Sequence, residues 1–381
     1  MPSVKVINQH ITANAAVYHG DCVELIKALP DDSVDLTVTS IPFSDQYTYS
    51  PSDHDMGNNV GDAGFFEHLS YLLAELHRVT VPGRLVAIHV KDRLRYKNKW
   101  GSGGLNPFSD DTTTHMRKAG FQLAARITIA TDPVRELQAT KRQGLRMMDI
   151  KTDASMVSFG IPEYLMVYRK WTDLPDDRSF SRKPVTHDPA EFSLRRWQLE
   201  ANSIWQSDGG VMAIPPYDHE ARVAALESGF DLLPSDDGQT WERKLYTGGK
   251  HKGPPIPPNP GAPHVWPDIS RMAVLNYAIA KENGDEKHIC PLQLDLIERA
   301  IRLMSNPRDV VLDPFGGIGS VPFKAVSMGR KAIGFELKES YFKWMCRHVE
   351  QAESNETPAT LFDMGGDELI DMEASDDVAI A

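Results

Sequence analysis

Val310-Val311-Leu312-Asp313-Pro314-Phe315-Gly316-Gly317-Ile318-Gly319-Ser320 reads as an apolar strand, a glycine-rich turn and the opening of a helix. Glycines in such a turn let the backbone take positive φ and approach a ligand closely. Amides at the N-terminus of the helix that follows favour an anionic or carboxylate group. The next apolar run, 332–336, ends on Glu336. That is about 20 residues beyond the turn, where an acidic side chain in a dinucleotide-type fold grips ribose hydroxyls. No Gly-Lys-Ser/Thr follows the glycines, which excludes a phosphate-cradling P-loop. A glycine turn alone also serves as a plain strand-to-helix connection; the acid closing the following strand turns the reading towards a ligand site.

Outward from this unit, residues 288–352 keep an α/β rhythm, with helices predicted at 290–304, 319–328 and 339–351 and strands at 310–312 and 332–336. The same rhythm runs through 15–171. Strands are predicted at 15–19, 34–40, 84–90, 121–130 and 164–169, and helices at 23–29 and 65–79. In the second helix Phe66, Leu69, Leu72, Leu73 and Leu76 form one apolar stripe that belongs in a core. Strands alternating with helices predict an α/β sheet. Residues 172–268 differ: they are richer in Trp, Pro, Asp and Arg, and Pro254-Pro255-Ile256-Pro257-Pro258-Asn259-Pro260 should be extended and stiff. This stretch is expected to be an insertion, with Trp197, Trp205, Trp241 and Trp266 as packing residues. The expected divisions are 1–171, 172–268, 269–352 and an acidic, disordered tail at 353–381.

The chain has 381 residues, enough for two domains or one large domain with an insertion. No apolar run approaches the ~20 residues needed to cross a bilayer, and the first twenty residues lack a charged start followed by an apolar core. Three scattered cysteines, Cys22, Cys290 and Cys346, make neither a disulfide scaffold nor a four-cysteine zinc site. A reducing cytoplasm is the expected setting. The net charge of −12 at first argues against a nucleic-acid partner. Its location reverses that inference. Residues 351–381 carry nine acids and no Lys or Arg, which leaves −3 for residues 1–350; residues 81–200 hold 21 basic against 14 acidic side chains.

A second segment carries chemistry. The strand at 34–40 runs into Ser40-Ile41-Pro42-Phe43. At the C-terminal end of a buried strand, the Ser40 hydroxyl and the Ile41 carbonyl can each accept one N–H of an exocyclic amine while Phe43 stacks on the ring. Alone, such a strand end is an ordinary turn; its weight comes from the glycine turn and Glu336 in the same chain.

With both segments read, the chain resembles the β group of S-adenosylmethionine-dependent DNA amino-methyltransferases, which modify adenine N6 or cytosine N4. Asp313-Pro314-Phe315-Gly316-Gly317-Ile318-Gly319-Ser320 is similar to the family's cofactor motif Asp-Pro-Phe-x-Gly-x-Gly-Thr, with Ser320 in place of Thr. Ser40-Ile41-Pro42-Phe43 is similar to its catalytic motif Ser/Asp/Asn-Pro-Pro-Tyr/Phe, with Ile41 where the first proline is usual. Tyr18-His19-Gly20-Asp21-Cys22 resembles the Gly-Asp turn whose acid lies near the cofactor adenine. Lys287-His288-Ile289-Cys290-Pro291-Leu292 resembles the segment packing on the cofactor's methionine end, with Ile289 where proline is usual. The likeness covers about 15–171 and 264–350. It implies a Rossmann-like class I methyltransferase sheet, circularly permuted because the catalytic motif precedes the cofactor motif, with the stretch between as a target-recognition region. It also implies S-adenosylmethionine as cofactor, held by Asp21, His288, Cys290, Pro291, Asp313, Pro314, Phe315, Gly317, Gly319, Ser320 and Glu336, and Ser40, Ile41, Pro42 and Phe43 as the catalytic residues. Double-stranded DNA is the implied partner, with the target base flipped from its stack; no membrane is implied, and a homodimer and a cognate restriction endonuclease stay open.

The reaction needs no covalent enzyme intermediate, only a localised amine lone pair and an in-line methyl group. Cytosine C5 methylation is set aside because it needs a Pro-Cys nucleophile that the sequence lacks. The Ser-first motif favours cytosine N4 over adenine N6, and the motif order with its insertion favours DNA over RNA or protein-amide substrates. A non-catalytic protein binding DNA or S-adenosylmethionine is the rival reading, motivated by Ile41. Lys91-Asp92-Arg93-Leu94-Arg95-Tyr96-Lys97-Asn98-Lys99-Trp100 is expected to be a phosphate-contacting loop, mobile without DNA, through Lys91, Arg93, Arg95, Lys97 and Lys99. A second basic cluster, Arg135, Lys141, Arg142, Arg146 and Lys151, is placed similarly, with Arg142 the chosen contact. Tyr47, Tyr49 and Asp53 are candidates for the base pocket or for a plain surface loop. His10, His54, His68, His77, His89 and His115 have no metal-ligand spacing, so no metal site is expected.

Overall fold

The computed structural model describes residues 6–44, 54–59, 61–95, 97, 101–131, 151–153, 162–173, 179–187, 203–205, 211–213, 264–266, 269–271, 273–275 and 291–354. In chain order its elements are β1 (Asn8–Ile11), β2 (Ala15–His19), α1 (Cys22–Leu25, continued by one 3-10 turn), β3 (Val34–Ser40), α2 (Gly61–Val79), β4 (Thr80–Lys91), β5 (Arg93–Arg95) and β6 (Gly104–Asn106). There follow α3 (Phe108–Lys118), β7 (Phe121–Ile129), β8 (Glu163–Lys170), β9 (Ser203–Trp205), β10 (Val211–Ala213), β11 (Val265–Trp266), α4 (Leu294–Met304), β12 (Val310–Asp313), α5 (Ser320–Ser327), β13 (Lys331–Glu336) and α6 (Glu339–Ser354).

One nine-stranded sheet has the order β1-β2-β13-β12-β3-β4-β8-β7-β11. The run β2, β13, β12, β3, β4 is parallel, and β8 lies antiparallel between β4 and β7. The late strand β12 is therefore seated between its successor β13 and the early strand β3. β3 is buried at every residue but Ser40, as a central parallel strand covered on both faces must be. Val86 and Ile88 of β4, in register with Thr37 and Thr39, face a core into which α2 inserts Phe66, Leu69, Leu72, Leu73 and Leu76, while Leu36 and Val38 of β3 are buried on the other face of the sheet. That is the apolar stripe seen in the sequence. Among the described residues no helix is long and apolar enough to cross a membrane.

The chain divides into two compact units: residues 1–184 with 265–381, and residues 185–264. In the second, β9 and β10 pair antiparallel. The division falls later than the 172 expected, because residues 179–184 are fastened to the sheet's lower edge. Gly83, at φ +81°, admits the Phe180 carbonyl so closely that a Cβ there would sit 1.8 Å from it. Ser181 Oγ donates to the Pro82 carbonyl at 2.9 Å. At the same edge the β3–β4 pairing skips between Val34 and Leu36. The buried Arg84 fills the gap: Nε donates to the Asp35 carbonyl, Nη1 to that of Lys183 and Nη2 to that of Met304, and Nη2 also pairs with Asp309. Trp266 of β11 is fully buried in the main unit, a packing residue as expected.

Several elements were not read from the sequence, among them β1, α3 and the short strands β5, β6, β9, β10 and β11, and others, such as α6, were read with other limits. β1 is an exposed edge strand without clear alternation. α3 is rich in Asp and Thr; Thr112, Thr113 and Thr114 turn their hydroxyls back to carbonyls four residues earlier, and Asp92 receives the Ser109 N–H at its start. α6 runs to Ser354, past the expected start of the tail. Glu353 there accepts hydrogen bonds from Thr12 Oγ1 (2.6 Å), the Asn14 amide (2.8 Å) and Asn14 Nδ2 (2.9 Å).

Candidate active site

Ser40 closes β3 in register with His89 of the parallel strand β4. Its Oγ lies 3.1 Å from His89 Nδ1, and His89 Nε2 lies 3.0 Å from Glu163 Oε2, at the start of β8. Ser40 is part-exposed, whereas His89 and Glu163 are 7% and 6% exposed, so the chain leads from the surface into the protein. Burial alone would raise the Glu163 carboxyl. The hydrogen bond from His89, with the charges of Lys91 and Arg271 at 3.9 and 3.7 Å, instead holds it well below the usual carboxylate range. Gln293 Nε2 donates to the same carboxylate at 3.3 Å.

Ile41 is 2% exposed and belongs to the core. Phe43 is part-buried, its ring 6.1 Å from that of Phe108. Its carbonyl accepts from Arg93 Nη1 at 3.0 Å, and the other Arg93 amine pairs with Asp62. Burial would raise the Asp62 carboxyl, but hydrogen bonding from Asn106 and the Arg93 charge hold it below its ordinary value.

The glycine turn stands next to this strand end. Thr39, one residue before Ser40, donates its hydroxyl to Asp313 at 2.7 Å, and Asp313 also accepts the Phe315 N–H at 3.1 Å. Burial pushes the Asp313 carboxyl up to about 7. Glu336, at the end of β13, accepts the Gly317 N–H (2.8 Å) and the Lys338 N–H (2.7 Å). Burial of its carboxylate, with the neighbouring charges of Asp313 and Asp55, pushes it up to about 8. Gly316 and Gly319 have Met345 against their backs, where a Cβ would approach within 2.8–2.9 Å. Gly317, at φ +52°, has open space where its Cβ would stand. Asp21 caps α1 through the Val23 N–H, and its second oxygen lies 2.8 Å from His54 Nδ1. The Gly20 N–H, one residue earlier, is bonded to the Glu336 carbonyl. An open glycine backbone beside a costly buried carboxylate fits a ligand with hydroxyl donors, as a nucleoside has.

The structure thus gathers Ser40, Ile41, Pro42 and Phe43 with Asp21, Asp313, Pro314, Phe315, Gly317, Gly319, Ser320 and Glu336 at the C-terminal ends of neighbouring strands. Pro291 lies part-buried ahead of α4. His288, Cys290, Lys99, Arg142, Tyr47, Tyr49 and Asp53 lie outside the described residues. Part of the basic segment is a strand where a loop was expected, while residues 96 and 98–100 lie outside the described residues. Arg93–Arg95 form β5, paired antiparallel with β6, and Arg93 is turned inward over Phe108, its guanidinium 4.9 Å from the ring centre. Lys91 is part-buried near Glu163, Arg95 is part-buried, and Lys97 is exposed. Among the described residues no group of His, Cys, Asp and Glu could hold a metal ion. Sequence reading missed His89 and Glu163. A histidine inside the apolar run Val86-Ala87-Ile88-His89-Val90 was the available signal, but its meaning depends on register with β3.

Five parallel strands, an antiparallel β8, a glycine turn after β12 and an acid closing β13 make a class I methyltransferase fold. The solved structure of PvuII DNA methyltransferase (cytosine-N4-specific) matches it with a TM-score of 0.51 at 14% identity, over 98% of this chain and 96% of that one. The chain belongs to the DNA methylase family of N6/N4 methyltransferases, whose model matches residues 34–347. Type II methyltransferase M.BamHI of Bacillus amyloliquefaciens is 25% identical over 321 residues, 84% of this chain and 54% of that protein. The chain therefore spans about half the length of this relative. Type II methyltransferase M.BglI of Bacillus subtilis is 21% identical over 90% of this chain and 88% of its own length.

Proposed function

We propose that the chain is a DNA methyltransferase that uses S-adenosylmethionine to methylate the exocyclic amine of a flipped base, cytosine N4 before adenine N6. The Thr39–Asp313 hydrogen bond carries this reading, because it ties the strand end bearing Ser40 to the turn bearing Gly317. Asp21, Gly317 and Glu336 would hold the nucleoside part of the cofactor. The bound cofactor supplies an electrophilic methyl group on a sulfonium, the electron pair of the broken bond staying on sulfur. The Ser40 Oγ and Ile41 carbonyl accept the two amine N–H bonds, and Phe43 offers a stacking face. Ile41 lacks the stiffness of proline, yet its buried side chain fixes the carbonyl by packing, which supports the catalytic reading over a non-catalytic one. The permuted order of motifs is supported by β12 lying between β13 and β3.

Nucleoside mass spectrometry on DNA from cells expressing the protein should detect N4-methylcytosine. N6-methyladenine would make the enzyme an adenine methyltransferase. Phe43→Ala should reduce either product about 5- to 150-fold, through loss of base stacking of about 1–3 kcal/mol. Purified protein that bound labelled cofactor but methylated no DNA would leave the non-catalytic reading standing.

Lys97, with Lys99 beyond it, is the proposed phosphate contact; Arg93 is left out because its guanidinium holds the Phe43 carbonyl. Reversing both lysines to Glu should weaken binding to duplex DNA and reduce the slope of log K against log salt by about 2, at roughly 0.9 per phosphate contact. An unchanged slope would remove this surface from the interface.

A further inference from the structure

We propose that His89 and Glu163 are positioning residues for methyl transfer, acting through Ser40. They turn its hydroxyl so that its lone pairs face the target amine, and they take up the proton the amine sheds. The inference rests on the reading of Ser40 as the amine's acceptor.

Hydrogen-bond polarity carries the inference. Glu163 is held as a carboxylate and can only accept, so the ring nitrogen facing it, Nε2 at 3.0 Å, must carry a hydrogen. In neutral imidazole the other nitrogen then offers a lone pair. His89 Nδ1 lies 3.1 Å from Ser40 Oγ, so the serine hydrogen points to His89. Only the serine lone pairs are left for an incoming N–H, which is the polarity that localises the amine's own pair. Without His89 the hydroxyl is free to rotate and can donate to the amine nitrogen, occupying the pair that must attack.

The same chain disposes of a proton. When the amine nitrogen gains a methyl group it bears a positive charge and must lose one hydrogen. The N–H electron pair returns to nitrogen while its proton passes to Ser40 Oγ and the serine's own proton passes to His89 Nδ1. The serine is unchanged in sum, and an imidazolium is left beside Glu163. The groups facing this pair are Ser40 on β3, Glu163 on β8, and, around the Glu163 carboxylate, Lys91 of β4, Arg271 and Gln293. The two cations offset part of the carboxylate's pull on the imidazolium, so the proton can leave for solvent after turnover.

The test uses the full chain, tritium-labelled S-adenosylmethionine and genomic DNA from a strain without methylation, in single-turnover assays. His89→Phe should slow methyl transfer about 10²-fold, the low end of proton-transfer contributions, with cofactor and DNA affinities unchanged. In a Ser40→Ala background the same substitution should cost less than about twofold, since residues acting as one unit are not additive. Glu163→Gln should displace the acid limb of the wild-type rate profile against pH, and in the Ser40→Ala background it should displace nothing. A full-sized His89→Phe loss in the Ser40→Ala background, or an acid limb unmoved by Glu163→Gln, overturns the proposal. The second measurement decides the matter even where His89→Phe does not fold. Wild-type rates in Ser40→Ala would instead overturn the site reading itself, a separate outcome from an inactive Ser40→Ala with a normal His89→Phe.

Discussion

Replacing Arg84 with alanine is expected to cost the main unit about 3–5 kcal/mol, the range for breaking one side of a buried ion pair. Arg84 and Asp309 are each 2% exposed. The substitution would leave three carbonyls, those of Asp35, Lys183 and Met304, without this donor, and the Asp309 carboxylate without its buried cation. The Asp35 carbonyl suffers most, because the β3–β4 ladder skips at that residue. Urea unfolding should show a lower midpoint at unchanged slope. Lys183→Ala provides the contrast: its amine reaches both Asp35 and Asp309, but the side chain is 50% exposed, so its loss should cost less than about 1 kcal/mol. Equal losses in the two variants would show that the buried guanidinium is not the fastening.

The second large effect is a dependence on pH. Glu336 and Asp313 carry folded-state values of about 8 and about 7, raised from 4.5 and 3.8, chiefly by burial. Between the unfolded and folded values the native state holds more protons than the unfolded chain. As far as these two groups are concerned, stability without ligand should therefore be fully present below about pH 4 and fall as pH rises towards 8, by a few kcal/mol. On the proposed placing of the nucleoside, S-adenosylmethionine should oppose that fall, since ribose hydroxyls would donate to Glu336 and favour its carboxylate. Binding at pH 7 is then expected to release about one proton, measurable by calorimetry in buffers of different ionisation enthalpy. Glu336→Gln should flatten the stability profile, remove the proton release and weaken cofactor binding roughly 10–10²-fold, the worth of a charged hydrogen bond. A wild-type profile flat from pH 5 to 8 would overturn the account.

Much of the fold was legible because β12 opens on an apolar run, β3 alternates Val34, Leu36 and Val38 with polar residues, and both strands end on uncommon residues. β3 and β12 were read as strands, and Ser40-Ile41-Pro42-Phe43 and the glycine turn marked their upper ends. What escaped depends on pairings between distant residues. His89 and Glu163 are 74 residues apart, and neither has meaning until β4 and β8 are laid antiparallel. Counting charges identified the basic segment but not its directions: Arg93 faces Asp62, 31 residues earlier, rather than outward. α3 escaped because its threonines satisfy their hydroxyls on their own helix, which local patterning scores as polar loop.

Glu353 of α6 receives three hydrogen bonds from Thr12 and Asn14, in the turn between β1 and β2. Two stretches more than three hundred positions apart in the chain are thus next-door neighbours. The sheet itself stays open, with β1 and β11 at its edges; what the contact imposes is a delay, since the β1–β2 turn lacks these three hydrogen bonds until α6 has been made.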